Sequence, residues 1–239
     1  MKLDVLAIGP HPDDIELACG GTVVKLVKMG HSVGIVDLTA GELGTRGSAE
    51  RRAHEAEEAA RLMGTSMRIN LGIPDGNVEN SPENRMKLIR IIRDLRPDVL
   101  LFPYSTDRHP DHEHANILCR EAWFYSGLEK LGSNHHGKDQ EPFRPRAYYN
   151  YMQWFEFTPS FIVDVSDEFE QRVKAMRAYK SQFHDPESKE RETVLSRPEF
   201  FDMVRTRLEY YGDRIGVRYG EPFFTPYPLK VNDILKVNR

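Results

Sequence analysis

A histidine and two aspartates stand together directly after the first apolar stretch of this sequence. Residues 5–8 are apolar, and His11, Asp13 and Asp14 follow them with no hydrophobic residue between His11 and Asp14. Imidazole and carboxylate groups are ligands for hard or borderline divalent cations. A carboxylate that is not needed as a ligand can accept a proton. The types and spacing of these residues therefore predict a metal site with a general base beside it.

A second polar cluster follows a second apolar stretch. Residues 99–102 are apolar, and residues 107–112 read Asp-Arg-His-Pro-Asp-His. If His11, Asp14 and one histidine of this second cluster converge, two imidazoles and one carboxylate leave coordination positions open for water and substrate. Catalytic zinc sites and non-haem Fe(II) sites have this arrangement. A cation held in this way would lower the pKa of a water molecule to about 7 and polarise a carbonyl group, which predicts a hydrolase.

The residues that are not needed as ligands can serve the same chemistry. Asp13 can take the proton of the attacking water, because it is next to the ligand Asp14 but points elsewhere. The spare histidine of the second cluster can donate to an oxyanion or to a leaving amine. Asp111, beside it in sequence, can orient an imidazole and keep it charged.

These clusters need a scaffold that brings them to one place. Apolar runs alternate with helical patterns along the first half of the chain, which predicts βαβ units and a Rossmann-like, doubly wound, mostly parallel α/β sheet. In such a sheet the turns that follow the strands share the carboxyl edge, where ligands bind. We predict a single domain over residues 1–239, with the site at the carboxyl ends of the strands.

The predicted helices set the positions of the clusters in the chain. The patterns predict helices over residues 20–29 and 113–125, after the two clusters, and a last helix over residues 198–211. A further helix is predicted over residues 167–182, with Ser166 as its N-cap. The tail is rich in aromatic residues and is predicted to pack on the domain or on a partner subunit. Its aromatic residues include Tyr219, Phe223, Phe224 and Tyr227.

Composition excludes several classes of protein. The chain has 239 residues and a net charge of −4, and this charge argues against nucleic-acid binding. Its two cysteines, Cys19 and Cys119, are far apart in sequence, which excludes a disulfide framework and a Cys-type zinc site and indicates a reducing compartment. No apolar stretch reaches the roughly 18 residues of a membrane span, and no signal peptide is evident. We therefore expect a cytoplasmic enzyme with no membrane or nucleic-acid partner.

The two clusters resemble the signature motifs of a known family. The first cluster lies in residues 9–14, which read Gly-Pro-His-Pro-Asp-Asp and are followed by Gly20 and Gly21, and the second lies in residues 108–112, Arg-His-Pro-Asp-His. These segments resemble the signature motifs of the PIG-L/LmbE-like superfamily of metal-dependent N-acetylglucosaminyl deacetylases. The similarity extends from end to end and implies an LmbE-like fold. Further segments, such as residues 178–183 and 221–224, resemble the branch that deacetylates N-acetylglucosaminyl-malate in bacillithiol biosynthesis.

The resemblance implies roles for nine residues and a cofactor. The implied metal ligands are His11, Asp14 and His112. The implied catalytic residues are Asp13 as the general base, His109 as the donor to the oxyanion or the leaving amine, and Asp111 as the support for a histidine. The implied substrate contacts are Arg52, Arg108 and Gln182. The expected cation is Zn²⁺, and the same donor set accepts Fe²⁺, Mn²⁺ or Co²⁺.

The resemblance also implies a substrate and an assembly. We expect hydrolysis of the N-acetyl group of an N-acetylglucosaminyl conjugate, above all N-acetylglucosaminyl-malate, and a homo-oligomer such as a hexamer. Deacetylation of another sugar amide, such as diacetylchitobiose or an antibiotic precursor, is the first alternative. A nucleotide-binding Rossmann module is disfavoured because no Gly-x-Gly-x-x-Gly follows the first strand. A non-catalytic metal-binding protein is disfavoured because it would not need Asp13.

Overall fold

The apolar runs of the sequence form the central strands of an α/β fold. The computed structural model describes residues 2–237. In chain order, its elements are β1 (Val5–Gly9), α1 (Asp14–Lys28), β2 (Val33–Asp37), α2 (Ala49–Met63), β3 (Met67–Asn70), α3 (Pro82–Leu95), β4 (Val99–Pro103), α4 (Pro110–Ser126), the short strands β5 (Asn134–His135) and β6 (Lys138–Asp139), β7 (Ala147–Tyr151), β8 (Phe161–Asp164), α5 (Phe169–Met176), α6 (Phe200–Asp213), β9 (Gly220–Phe224) and a 3₁₀ turn (Ile234–Lys236).

Seven of these strands form one sheet in the order β3-β2-β1-β4-β7-β9-β8. The neighbours from β3 to β7 pair in parallel, whereas β9 is antiparallel to both β7 and β8. The prediction of a mostly parallel, doubly wound sheet is confirmed. The chain proceeds from β1 outward to β3 on one side and then returns to place β4 on the other side of β1. The boundary between β1 and β4 is therefore the switch point at which such folds form a crevice.

Helices cover both faces of the sheet, and this explains the unbroken apolar character of β1. Its residues Val5 and Ala7 pack in one core cluster with side chains of α1, α2 and α5. Leu6 and Ile8 pack in a second cluster with side chains of α3 and α4. A strand buried on both faces has no solvent side on which polar residues could alternate. Within residues 2–237, no helix combines the length and apolar character needed to cross a membrane.

Two helices begin earlier than their apolar patterns predicted. The helix predicted from residue 20 begins at Asp14, and the helix predicted from residue 113 begins at Pro110. The additional turns carry Asp14 and Asp111, which are buried although they are charged. In α4 the buried side chain of the additional turn is a carboxylate, which apolar periodicity cannot detect. In α1 the additional residues include the buried Ile15, but the interruption of the helix at Cys19 separates them from the pattern that starts at residue 20. The first cluster therefore ends in the first turn of α1, and the second cluster ends in the first turn of α4.

Helix α1 consists of two segments, and the start that we predicted for the helix, residue 20, is the start of the second segment. Helix α1 is interrupted at Cys19, which has non-helical backbone angles of φ −140° and ψ 23°. The backbone N–H groups of Gly21 and Thr22 donate instead to the Glu221 carboxylate at 2.8 and 2.7 Å. A Cβ atom on Gly21 would lie 2.8 Å from Glu221 Oε1. The glycine thus allows a carboxylate from β9 to cap the second segment of α1.

Glu221→Ala should lower the free energy of unfolding by about 3–5 kcal/mol, because it removes one partner of a buried ion pair. Glu221 Oε1 lies 3.4 Å from Arg172 Nε, and the two side chains are 1% and 3% exposed. The measurement is the urea midpoint at constant slope. Glu209→Ala, on the exposed face of α6, should stay within about 0.5 kcal/mol of wild type. A loss below about 1 kcal/mol in Glu221→Ala would contradict this role.

The last third of the chain departs most from the prediction. Helix α5 spans Phe169–Met176 rather than residues 167–182, and its N-cap position is occupied by Glu168 rather than Ser166. The Ser166 hydroxyl instead donates to Asp164 Oδ1 at 2.7 Å. The predicted aromatic tail contains the strand β9, which only its pairing with β7 and β8 reveals. The tail does pack on the domain through Tyr219 and Phe223, which are 3% and 1% exposed.

Candidate metal centre and active site

Both polar clusters lie at the carboxyl edge of the sheet, on either side of the switch point. The first cluster joins β1 to α1, and the second cluster joins β4 to α4. The ligand atoms of His11, Asp14 and His112, which we predicted to converge, all lie within 4.8 Å of one another. A second such group consists of His11, His109 and Asp111. The geometry brings together the groups that a divalent cation would need.

The Asp14 carboxylate lies close to both imidazoles of the first group, through a different oxygen to each ring. Asp14 Oδ1 lies 3.4 Å from His112 Nε2, and Asp14 Oδ2 lies 3.2 Å from His11 Nδ1. Burial acts to raise the pKa of Asp14, but the adjacent His112 and His11 lower it below its ordinary value. Asp14 is therefore a carboxylate ready to bind a cation.

Two carboxylates stand behind the His11 ring. His11 Nε2 lies 3.0 Å from Asp75 Oδ1 and 3.3 Å from Asp111 Oδ2. Burial acts to lower the pKa of His11, but hydrogen bonds with Asp111, Asp14 and Asp75 raise it well above its ordinary value. Carboxylates in this position fix the orientation and tautomer of a metal-binding imidazole. The histidine that Asp111 faces is thus His11.

A third carboxylate holds the His112 ring. His112 Nδ1 lies 2.9 Å from Asp107 Oδ1, while Asp107 Oδ2 accepts a hydrogen bond from Trp154 N at 2.7 Å. Burial acts to raise the pKa of Asp107, but its bonds to His112 and to backbone N–H groups lower it overall. The resulting carboxylate holds the proton on Nδ1 and leaves Nε2 free to bind a cation.

Three residues of this centre had no role predicted from the sequence. Asp107 begins the second cluster, so its position already gave a signal. Asp75 lies in a Pro-Asp-Gly turn, which is typical of a simple turn. The signals were that it follows a parallel strand and that residues 74–75 are among the segments that resemble the malate deacetylase branch. Gln153 follows β7, and its amide Nε2 donates to Asp14 Oδ1 at 2.5 Å. No motif in the sequence pointed to Gln153.

Asp13 occupies a strained position beside the ligands. Its φ of 109° lies in the region that favours glycine, and such strain is frequent at functional sites. The conformation turns its carboxylate away from Asp14 and toward Arg52, whose Nη2 donates to Asp13 Oδ2 at 2.9 Å. Burial raises the pKa of Asp13 to about 7, although the Arg52 charge opposes the rise. A base with a pKa near neutrality suits proton transfer in hydrolysis.

Arg52 lines the pocket, but its guanidinium is bonded within the chain. Besides Asp13, it donates to the carbonyl oxygens of Pro12 and Gly41, at 2.6 and 3.2 Å. Its Nε is buried without a partner among residues 2–237. In this structure Arg52 positions Asp13, and its predicted contact with substrate stays a prediction.

His109 is placed as a neutral hydrogen-bond donor. It is the N-cap of α4, and its Nδ1 accepts a hydrogen bond from Asp111 N at 3.2 Å. Because Nδ1 is an acceptor, the proton of the neutral ring is on Nε2. Burial and the neighbouring His11 and His112 lower the pKa of His109. The ring can therefore donate from Nε2 to a group in the pocket.

These side chains form the floor of a cavity of about 390 Å³, a volume typical of small-molecule sites. One wall is largely apolar, and it includes Trp154, Leu195, Phe200, Met203 and Val204. Arg108 is exposed at the rim, with its guanidinium 4.2 Å from the centre of the Trp154 ring. Gln182 is buried, and its amide donates to Arg46 O and Ser181 Oγ at 2.9 Å each. Both residues line the pocket, as predicted substrate contacts must.

Comparisons with known proteins agree on one family. The model of the PIG-L family, described as GlcNAc-PI de-N-acetylase, matches residues 6–123, which contain both clusters. Diacetylchitobiose deacetylase of Thermococcus kodakarensis is 32% identical over 91% of this chain and 80% of its own. Probable N-acetyl-alpha-D-glucosaminyl L-malate deacetylase 2 of Bacillus anthracis is 25% identical over 95% and 96%. The solved structure of the conserved protein TT1542 from Thermus thermophilus is 40% identical, with a TM-score of 0.86 over 96% and 97%.

Proposed function

This chain belongs to the PIG-L (GlcNAc-PI de-N-acetylase) family, and from that premise we propose that it hydrolyses the N-acetyl group of an N-acetylglucosaminyl conjugate, with release of acetate. The observation that carries the proposal is the convergence of His11, Asp14 and His112 on the floor of the pocket, with Asp13 beside them. The three ligands would hold Zn²⁺, because two imidazoles and one carboxylate are a donor set of catalytic zinc sites.

The surrounding residues account for the steps of amide hydrolysis. The bound cation would supply an activated water and a Lewis acid for the amide carbonyl. Asp13 takes the proton of the attacking water and later delivers it to the leaving nitrogen, so that the C–N bond breaks to give acetate and a free amine. Arg52 holds the Asp13 carboxylate in place. His109 Nε2 donates to the oxyanion that develops on the carbonyl oxygen.

For the group attached to the sugar, we propose malate. The malate deacetylase of B. anthracis matches this chain over nearly the full length of both proteins. Three guanidinium groups line the pocket, those of Arg52, Arg108 and Arg207, and that of Arg52 is paired with Asp13. Arg207 donates to the backbone carbonyls of Gln153 and Trp154, and Arg108 stacks on Trp154. Because carbonyl and ring contacts do not neutralise these cations, they favour a substrate that carries carboxylates.

Diacetylchitobiose is the second candidate substrate. The T. kodakarensis deacetylase that acts on it is 32% identical to this chain, a higher identity than that of the malate deacetylase. A second sugar ring in place of malate would be neutral and would pack on the aromatic and apolar wall.

Arg108→Ala separates the two candidates. It should raise KM for N-acetylglucosaminyl-malate by about 10–100-fold, the value of one charge-assisted hydrogen bond, and change KM for diacetylchitobiose by less than about threefold. The measurement is acetate release from both substrates. Arg61→Ala, an exposed arginine on α2 that pairs with Glu58, is the matched control. A higher wild-type kcat/KM for diacetylchitobiose would favour the second candidate, and no acetate release from either would overturn the proposed function.

A further inference from the structure

Gln153 stands against two of the three proposed ligands at once. Its amide Nε2 lies 2.5 Å from Asp14 Oδ1 and 3.4 Å from His112 Nε2. It lies just beyond the end of β7, in the connection from β7 to β8, which contributes none of the nine residues predicted from sequence. The amide therefore contacts the pair Asp14 and His112 from the loop that follows a third strand of the sheet.

The backbone around Gln153 is tied to its surroundings. Arg207 on α6 donates to the Gln153 carbonyl oxygen. The next residue, Trp154, donates its N–H to Asp107 Oδ2 at 2.7 Å, and Asp107 is the carboxylate that holds His112. The amide is thus presented to Asp14 from a fixed position, as the support of a metal ligand requires.

The hydrogen bond to Asp14 is the main polar contact of the amide. Gln153 Oε1 is buried and has no hydrogen-bond partner among residues 2–237. A buried oxygen without a partner costs about 1–3 kcal/mol. Among residues 2–237 the amide therefore interacts through its N–H group, which faces Asp14 and His112.

We propose that Gln153 is a positioning residue of the metal centre, which holds Asp14 Oδ1 toward His112 and thereby raises the affinity of the site for Zn²⁺. His11 N donates to the other oxygen, Asp14 Oδ2, at 2.8 Å. The two donors together fix both oxygens of the carboxylate. Outer hydrogen bonds of this kind typically contribute 10–100-fold to metal affinity. The inference rests on the proposed metal site and is independent of the substrate.

Gln153→Met tests this role, because methionine matches glutamine in length but has no N–H donor. The purified full-length protein is stripped of metal, and Zn²⁺ affinity is measured by competition with a chromophoric chelator. The variant should bind Zn²⁺ about 10–100-fold more weakly than wild type, and its Co²⁺ form should show a shifted visible spectrum. Its metal-free thermal midpoint should stay close to that of wild type, because the substitution also removes the unpaired oxygen.

Gln171→Met is the matched control, since Gln171 on α5 donates to Leu62 O at 2.8 Å away from the site. It should leave Zn²⁺ affinity within about twofold of wild type. Equal Zn²⁺ affinity in Gln153→Met and wild type would overturn the role of Gln153 and leave the proposed function standing. A wild-type protein that binds no Zn²⁺ would overturn both the positioning role and the metal centre.

Discussion

Asp13→Asn is expected to lower kcat by about 10²–10⁴-fold, the usual contribution of a general base, while the protein keeps its bound cation. The cation should remain because the Asp13 carboxylate faces Arg52 rather than His11 and His112. Asparagine is the appropriate replacement, because it tolerates the positive φ of this position better than alanine does. The measurements are acetate release and metal content per chain.

Asp4→Asn is the matched control for this prediction. Asp4 is a half-buried aspartate at the start of β1, at the opposite edge of the sheet, where its carboxylate accepts from Ser32. Its replacement should leave kcat near that of wild type. Near-normal turnover in Asp13→Asn would show that another group takes the proton. A simultaneous loss of metal would show that Asp13 belongs to the ligand set.

His112→Ala is expected to abolish both the bound cation and acetate release. Its Nε2 is one of three proposed ligand atoms, so its loss should weaken cation binding by more than the 10–100-fold typical of an outer hydrogen-bond partner. The measurements are metal content after dialysis and the rise of the thermal midpoint on addition of Zn²⁺, which reports binding to the folded state.

His109→Ala is the matched comparison, because the rings of His109 and His112 are stacked with their centres 4.8 Å apart. It should keep the cation and lower kcat by about 10²–10³-fold, the usual effect of losing one oxyanion donor. The reverse pattern, with the cation kept in His112→Ala and lost in His109→Ala, would assign the cation to the other group, which contains His109 and Asp111.

Much of the fold could be predicted because its signals are local. A short, unbroken apolar run such as residues 5–8, bounded by turn residues, indicates a strand covered on both faces, and helical patterns between such runs imply parallel pairing. Polar clusters directly after two of these runs must then meet at one edge of the sheet. No knowledge of any long-range contact was needed for this prediction, and the observed sheet agrees with it.

The helix starts could not be predicted from apolar periodicity. Helix α4 begins within the second cluster, where Asp111 is the buried side chain of the first turn. Helix α1 begins at Asp14 and buries apolar residues such as Ile15, but its interruption at Cys19 separates this first segment from the pattern that starts at residue 20. Strand β9 was missed because only its neighbours β7 and β8 make it a strand.

By itself the sequence determined which chemical groups are available and that two clusters share one edge of a parallel sheet. The tertiary structure alone decided how each group is used: that Arg52 holds Asp13, that Asp75 and Asp111 stand behind His11, and that Gln153 reaches Asp14 from just beyond the end of β7. The physical reason is that these contacts join residues from 39 to 139 positions apart. Their distances depend on how the strands are ordered and packed, and no local pattern of residue types records that order.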